Sequence, residues 1–230
     1  MKQLGITREK HQLLELTSQA DKMNIHIVPL PLTTISSLID NENHIPDLSQ
    51  YDWLFFTSAH GVHTFFENCH QPIPDSIQIA SVGEKTSESI ISYGLSVHFQ
   101  PTEAYGKKLF LEFKEAHENE ELKILFIRAE IVNVEPNEIF THSTIKYNEM
   151  IAYRTVENFI NEDEIKTLTN EDFILFTAPS SVQAYKNQFG TPIAKLIAIG
   201  KTTQQAIEDN NWKTYKVLDK PEIQSVLEYI

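Results

Sequence analysis

Small hydroxyl-bearing residues gather where short apolar runs give way to helical spacing. Thr57 and Ser58 follow WLFF, and Thr177, Ser180 and Ser181 follow FILF. A hydroxyl at a helix start accepts from an unpaired amide, and the remaining free amides with the helix dipole make a ready anion site. A plain N-cap without a ligand accounts for any one of these residues taken singly. Their repetition favours a ligand, because open parallel sheets bind ligands beyond the carboxyl ends of their strands. Gly-x-x-Thr also occurs twice, as Gly83 with Thr86 and as Gly200 with Thr203. Glycine lets a backbone approach a ligand and the threonine falls in the first helical turn, where its hydroxyl can face the same space; a tight strand-to-helix turn is the simpler alternative.

The basic residues are unevenly chosen. Of 19 lysines and arginines only Arg8, Arg128 and Arg154 are arginine. The planar guanidinium fork suits carboxylates, so Arg8 and Arg128, which end corresponding apolar runs, and Arg154, which follows Tyr153, are candidates for holding an acidic ligand. Surface ion pairing competes for each. Other chemistries lack their residues. GKTT at 200–203 resembles the end of a phosphate-binding loop, but the glycine required five residues earlier is Lys195, which disfavours a nucleotide-using enzyme. His60 and His63 have no acidic or sulfur partner at ligand spacing, so no metal is assigned. No Gly-x-Ser-x-Gly elbow presents a nucleophile.

Charge and composition narrow the partners. A formal net charge of -13 argues against nucleic acid and poses a puzzle for a polyanionic substrate. The start, MKQLGITREKHQ, lacks the apolar run of an export signal, and no stretch approaches the roughly 20 apolar residues of a membrane span. The single Cys69 allows no internal disulfide. A cytoplasmic protein without a membrane partner is expected.

The elements that must position these residues read as α/β. Apolar runs at 4–7, 26–30, 53–57, 77–82, 96–99, 124–127, 173–177, 196–199 and 215–218 predict strands separated by helical spacing. Leu13, Leu16, Ala20 and Met23 line one helical face, and Leu109, Phe113 and Ala116 line another. The acidic run at 117–121 reads as a solvated helix end. In IKYNEMIAYRTV, Ile145, Tyr147, Ile151, Tyr153 and Thr155 alternate with polar neighbours and predict one long extended strand, with Tyr147 and Tyr153 on the same face. The chain also repeats itself. ITR at 6–8 returns as FIR 120 positions later, WLFFTSAHGV at 53–62 as FILFTAPSSV at the same offset, and IASVGEKTSESI as LIAIGKTTQQAI at an offset of 117. Two copies of one α/β unit follow, with a cleft expected between similar lobes.

Taken in order, the starting Thr-Arg, YDWLFFTSAHGV, SVGEKTSESI, AYRTV, FTAPSSV and IAIGKTTQQAI resemble the uroporphyrinogen-III synthase family across nearly the whole chain. The resemblance implies two similar lobes, each a parallel sheet flanked by helices, joined by a two-stranded β-ladder. One lobe would combine 1–33 with 156–230, the other would hold 36–152, and the linkers would lie near 32–35 and 151–156. It implies a lyase that takes hydroxymethylbilane, removes water, inverts the last pyrrole ring and closes the macrocycle without a cofactor. The chain would act as a monomer, with a transient contact to the preceding pathway enzyme conceivable. By its place in AYRTV, Tyr153 matches the family's tyrosine implicated in loss of the hydroxyl; a tyrosine is protonated at neutral pH and can donate. Tyr147 is its rival, and an aromatic filling the lobe junction is the simpler role for Tyr153. The hydroxyls of Thr57, Ser58, Thr86, Ser180, Ser181 and Thr203, the glycines Gly83 and Gly200, and Arg8 would hold the acetate and propionate groups. Where many family members carry Arg-Gly-x-x-Gly-Arg, this chain has RAEIVNVEPNEIF, so Arg128 receives no binding role. Steering is the harder task, because the bilane also closes spontaneously to the symmetric isomer; holding a flexible chain in one geometry is worth up to roughly 7–11 kcal/mol. A two-lobe protein that binds an anion and catalyses nothing remains the alternative.

Overall fold

The computed structural model, described for residues 1–40, 44–132 and 134–230, has ten strands: eight of the nine apolar runs, the long extended segment, and a short strand at Thr33–Ser37. In chain order the elements are β1 (Lys2–Ile6), a 3-10 turn (Lys10–Leu13), α1 (Leu14–Lys22), β2 (Ile25–Pro29), β3 (Thr33–Ser37) and β4 (Trp53–Phe56). There follow α2 (Ala59–Asn68), β5 (Gln78–Ser81), α3 (Glu84–Ser92), α4 (Gly106–Ala116), β6 (Lys123–Ala129), α5 (Pro136–Phe140) and β7 (Lys146–Glu157). The chain ends with α6 (Glu162–Lys166), β8 (Phe173–Phe176), α7 (Pro179–Phe189), β9 (Lys195–Ala198), α8 (Lys201–Asp209), β10 (Thr214–Val217) and a 3-10 segment (Ile223–Tyr229).

Two units emerge. Unit 1 comprises Met1–Thr34 with Val156–Ile230, and unit 2 is Ile35–Thr155. The sheet of unit 1 runs β10-β9-β8-β1-β2 with every pair parallel. Residues alternate across it. Leu4, Ile6, Phe173 and Leu175 pack with Leu13, Leu16 and Ala20 beneath α1, while Ile174 and Phe176 pack with Val182, Tyr185 and Ile207 from α7 and α8. Strands buried on both faces read as continuous apolar runs, which is why FILF carries no polar residue.

The second sheet runs β3-β7-β6-β4-β5, with β7, β6, β4 and β5 parallel. Leu54 and Phe56 face α2 and α3, where Val62, Phe65 and Ile90 meet them. Trp53 and Phe55 face α4 and α5, where Phe110, Phe113 and Phe140 meet them. Leu38 donates its amide to Ala152 and Asn158 donates to Leu32, so one index rises as the other falls and β3 runs antiparallel to β7. The chain passes from unit 1 to unit 2 within β3 and returns within β7.

Both sheets place the first strand of their repeat beside the second and send the next strands outward on either side. This is the doubly wound order, whose reversal point lies between β1 and β8 in unit 1 and between β6 and β4 in unit 2. Three expectations need correction. The run 96–99 enters the sheet through an isolated bridge from Phe99 to Ala80, because the Nδ1 of His98 accepts the Ile79 amide that a regular ladder would use. α1 starts at Leu14 after a tighter turn, and Met23 ends it in solvent. The alternation of β7 also breaks, with consequences for the site.

Candidate active site

The pairing of β6 with β7 advances residue by residue until Arg128 meets Ile151; Ala129 then meets Tyr153, so Ala152 is an extra residue. Because strand side chains alternate, one inserted residue moves everything after it to the opposite face. Tyr147 therefore packs on the α4 and α5 side, its ring 5.7 Å from that of Phe140, whereas Tyr153 joins Met150 and Ala152 on the α2 and α3 side. The expectation that Tyr147 shares a face with Tyr153 fails for this reason.

Tyr153 is 6% exposed, and its hydroxyl lies 2.7 Å from the Oγ of Ser58. Ser58 caps α2 by accepting the Gly61 amide at 3.0 Å, so its own proton is free to go to the tyrosine oxygen. Burial pushes the phenol above its ordinary value, and the Ser58 hydrogen bond pulls the other way. A proton donor results, fully protonated at neutral pH, whose conjugate base has one hydroxyl ready to donate to it at the positive end of a helix. Gly61 makes the arrangement possible. A Cβ there would lie 3.2 Å from Ser58 Oγ and 3.7 Å from Tyr153 Cε1. Sequence reasoning missed Gly61, although the repeat marks it: the matching position in unit 1 is Ser181. The His60 ring, one residue before Gly61, is centred 6.0 Å from the Tyr153 ring.

The other candidates fall into two groups. Thr57, at the end of β4, is half-buried and lines a hollow of about 360 Å³ with Val82, Ala104, Tyr105, Gly106 and Lys107. Ser180 is half-buried in the first turn of α7, and a Cβ on Gly200 would meet nothing within 4 Å. These positions are open to a ligand.

Ser181, Thr86, Thr203 and Gly83 are not. Ser181 is 1% exposed and gives its proton to the Ala178 carbonyl at 2.7 Å. Thr177 gives its proton to the Thr7 carbonyl at 2.9 Å, and Thr7 donates to Ser181 Oγ at 3.1 Å. Each hydroxyl carries a single proton, so all three donors are consumed in tying the ends of β1 and β8 to α7. Thr86 is 4% exposed and Thr203 is 1% exposed, so their side chains pack inward and not toward a ligand. Gly83 is required by its own chain: a Cβ would meet the Cβ of Ala104 at 2.9 Å.

The arginines separate. Arg128 is held by Glu149 at 2.7 Å and by the carbonyls of Ala129 and Glu130, so its fork is occupied. Arg154 is exposed. Arg8, just past β1, is half-buried, and its Nε is sealed from solvent without a hydrogen-bond partner. Among the described residues no group of three or more His, Cys, Asp or Glu side chains could hold a metal, and no helix is long and apolar enough to cross a membrane.

Two like α/β units with doubly wound sheets, one carrying a buried tyrosine hydrogen-bonded to a helix N-cap, define a class of two-unit proteins in which ligand chemistry gathers at strand ends. The chain belongs to the uroporphyrinogen-III synthase family: the family model described as "Uroporphyrinogen-III synthase HemD" matches residues 15–228. A porphyrin biosynthesis protein HemD of Ruminiclostridium josui is 26% identical over 97% of this chain, which spans 47% of that relative, about half its length. A uroporphyrinogen-III synthase of Chlorobaculum parvum is 24% identical, with 90% of this chain and 89% of the relative covered. The fold matches a crystal structure of uroporphyrinogen-III synthetase from Helicobacter pylori, with a TM-score of 0.71 at 18% identity covering 100% of this chain and 98% of that one.

Proposed function

We propose that the chain catalyses the reaction of its family, converting hydroxymethylbilane to uroporphyrinogen III with loss of water and inversion of ring D, in the cytoplasm. The observation that carries the reading is the 2.7 Å contact between Tyr153 and the N-cap serine of α2. Tyr153 donates its proton to the departing hydroxyl, and water leaves. Ser58 donates to the phenolate so formed while still accepting the Gly61 amide. The carbon that closes the ring gives up a proton, and the tyrosine recovers one. No charge accumulates on the protein over the cycle.

Binding falls to the accessible strand-end groups: Arg8, Ser180 and the Gly200 turn in unit 1, and Thr57 in unit 2, the one proton of Ser58 being committed to Tyr153. The buried residues Ser181, Thr86, Thr203 and Gly83 serve by fixing the turns whose backbone amides face ligand. Amides and helix starts attract carboxylates without net positive charge, which removes the conflict between a polyacidic substrate and a chain of net charge -13. The test is turnover. Purified protein given freshly made hydroxymethylbilane is expected to yield the type III isomer; the type I isomer alone would leave the reading of a non-catalytic anion-binding protein.

A further inference from the structure

Tyr105 is an aromatic side chain without a partner. Of the exposed tyrosines among the described residues, Tyr93 rests on Phe66 with ring centres 5.0 Å apart and Tyr215 rests on Phe173 at 5.5 Å. Tyr105 is 66% exposed, and among the described residues its side chain meets no ring and makes no hydrogen bond. Its backbone is nevertheless fixed. The Tyr105 amide donates to the Glu103 carbonyl at 2.7 Å, and the Thr102 amide and hydroxyl donate to the Glu112 carboxylate at 2.8 and 2.6 Å, which ties the turn before α4 to the helix. A single exposed apolar side chain needs no explanation by itself; a rigidly mounted ring at the mouth of a hollow does.

That hollow, of about 360 Å³, lies beyond the carboxyl ends of β4 and β5, and Val82, Ala104, Val132 and Val134 give it apolar walls. Lys107 lines it too. Lys108, the next residue, lies within 4 Å of the Glu103 and Glu112 carboxylates, whereas Lys107 has no ion pair among the described residues. The lining thus holds one uncommitted cation and no carboxylate, in a chain of net charge -13. An aromatic face, apolar walls and a free ammonium suit a flat, electron-rich ring that carries short acidic arms. The volume is near the small end for ligand pockets, which suits one such ring and not a whole tetrapyrrole. The rings of a bilane are joined through single saturated carbons, so one of them can turn into a hollow independently of the rest.

We propose that Tyr105 is the platform on which one pyrrole ring of the bilane stacks in the hollow of unit 2, with Lys107 meeting a carboxylate arm of the same ring. The proposal rests on the synthase reading for its ligand. It adds a residue that contributes to affinity without taking part in the chemical step, because a ring held equally in ground and transition states lowers KM and leaves kcat unchanged. Mounting the tyrosine on a fixed turn reduces the ordering that binding would otherwise require.

The experiment compares wild type with Tyr105→Ala, Tyr105→Phe and Lys107→Gln. Both side chains are exposed, so Tm should not change. The first probe is porphobilinogen, a single pyrrole with one acetate and one propionate arm, titrated while the NMR signals of the Tyr105 ring are followed, these being assigned by their loss in Tyr105→Phe. They should shift as ring meets ring, and Lys107→Gln should need about two- to fivefold more ligand for the same shift. Signals that do not move in wild type overturn the slot, and an unchanged titration in Lys107→Gln overturns the role of the lysine. Kinetics with hydroxymethylbilane come second. Tyr105→Ala should raise KM about 3- to 10-fold with kcat within about twofold of wild type, and Tyr105→Phe, which keeps the ring, should restore the wild-type KM. An unchanged KM in Tyr105→Ala, a loss confined to kcat, or a Tyr105→Phe as impaired as Tyr105→Ala overturns the stacking. A wild type whose Tyr105 signals shift with porphobilinogen but which makes no type III isomer would sink the synthase reading and leave the slot standing; type III formation with motionless Tyr105 signals would do the reverse.

Discussion

Replacing Tyr153 by Phe removes one oxygen and leaves the ring, so the aromatic packing of Tyr153 against Met150 and Ala152 survives. The lost contact is a single hydrogen bond of 2.7 Å to Ser58. A neutral hydrogen bond contributes about 0.5–1.5 kcal/mol net. The α2 cap persists, because Ser58 keeps the Gly61 amide at 3.0 Å, and the freed serine proton can turn to water. For a chain of this size the expected drop in Tm is about 1–6 °C. Loss of a positioned general acid is a larger effect, about 10²- to 10⁴-fold in rate, or about 2.7–5.4 kcal/mol in the barrier. A protein with about 5–15 kcal/mol of stability stays folded after losing about 1, so the two effects separate at 25 °C. The assay supplies freshly made hydroxymethylbilane, oxidises the products to porphyrins and resolves type I from type III by chromatography, with Tm measured on the same sample. The expected result is a kcat reduced at least a hundredfold, KM little changed and only a small fall in Tm. Type III formation within about threefold of wild type would refute the assignment, since general-acid catalysis predicts no less than about a hundredfold.

Gly61→Ala should separate stability from activity in the opposite way: the helix gains up to about 1 kcal/mol, while a Cβ 3.2 Å from Ser58 Oγ displaces the cap and Tyr153 by tenths of an ångström and turnover falls about tenfold or more; unchanged turnover would show that the slot tolerates a methyl group. Gly83→Ala should cost about 1–3 kcal/mol through collision with Ala104, whereas Gly200→Ala, which meets nothing, should leave urea unfolding unchanged; equal midpoints for the two variants would contradict the packing account. Asp172 is buried, which alone would raise its carboxyl, yet donations from the Gln3 amide at 2.7 Å and from Thr169 at 2.8 Å hold it below the usual range. Its contribution is therefore complete above the unfolded value of about 3.9 and is lost as pH falls through the lower folded value. Asp172→Asn should unfold at lower urea at pH 7 by about 1–3 kcal/mol, with the difference from wild type shrinking toward pH 2; a constant difference across that range would refute the carboxylate's role.

The repeat made the fold readable. FILF and WLFF are buried on both faces, so composition alone reveals them, and the offset of 120 aligns β1 with β6 and β4 with β8 before any coordinate is seen. The strand-end hydroxyls were readable as a group but not one by one. Ser180 and Ser181 are adjacent in the sequence, and a rotation of about 100° around the helix places one half-buried at the surface and the other 1% exposed against Thr7. The bulge at Ala152 left no mark in IKYNEMIAYRTV that periodicity could detect, because Ile151, Ala152 and Tyr153 are all acceptable on either face of a strand. Arg8 and Arg128 match in the repeat, yet whether a fork is occupied depends on a long-range partner, Glu149, which stands 21 residues from Arg128 and has no counterpart pairing with Arg8 among the described residues.

The two units show how one scaffold acquires two roles through the position that is Gly61 in one and Ser181 in the other. In unit 1 the serine fills the space beside the N-terminus of α7, accepts from Thr7 and donates to Ala178, and the hydroxyls at the switch point satisfy one another. In unit 2 Ile127 occupies the place of Thr7, and its carbonyl lies 3.7 Å from where a Gly61 Cβ would stand. Glycine leaves that space to the ring of Tyr153, and Ser58, where unit 1 has Ala178, supplies the hydroxyl that meets it. The tyrosine could not turn into this space on a regular strand, since its parity with Tyr147 would carry it to the α4 side; the extra residue Ala152 reverses that parity. The inserted residue brings the tyrosine to this face, the capping serine gives its hydroxyl a partner, and the missing Cβ spares that pair a displacement of tenths of an ångström, so the three act together in holding a buried proton donor in unit 2.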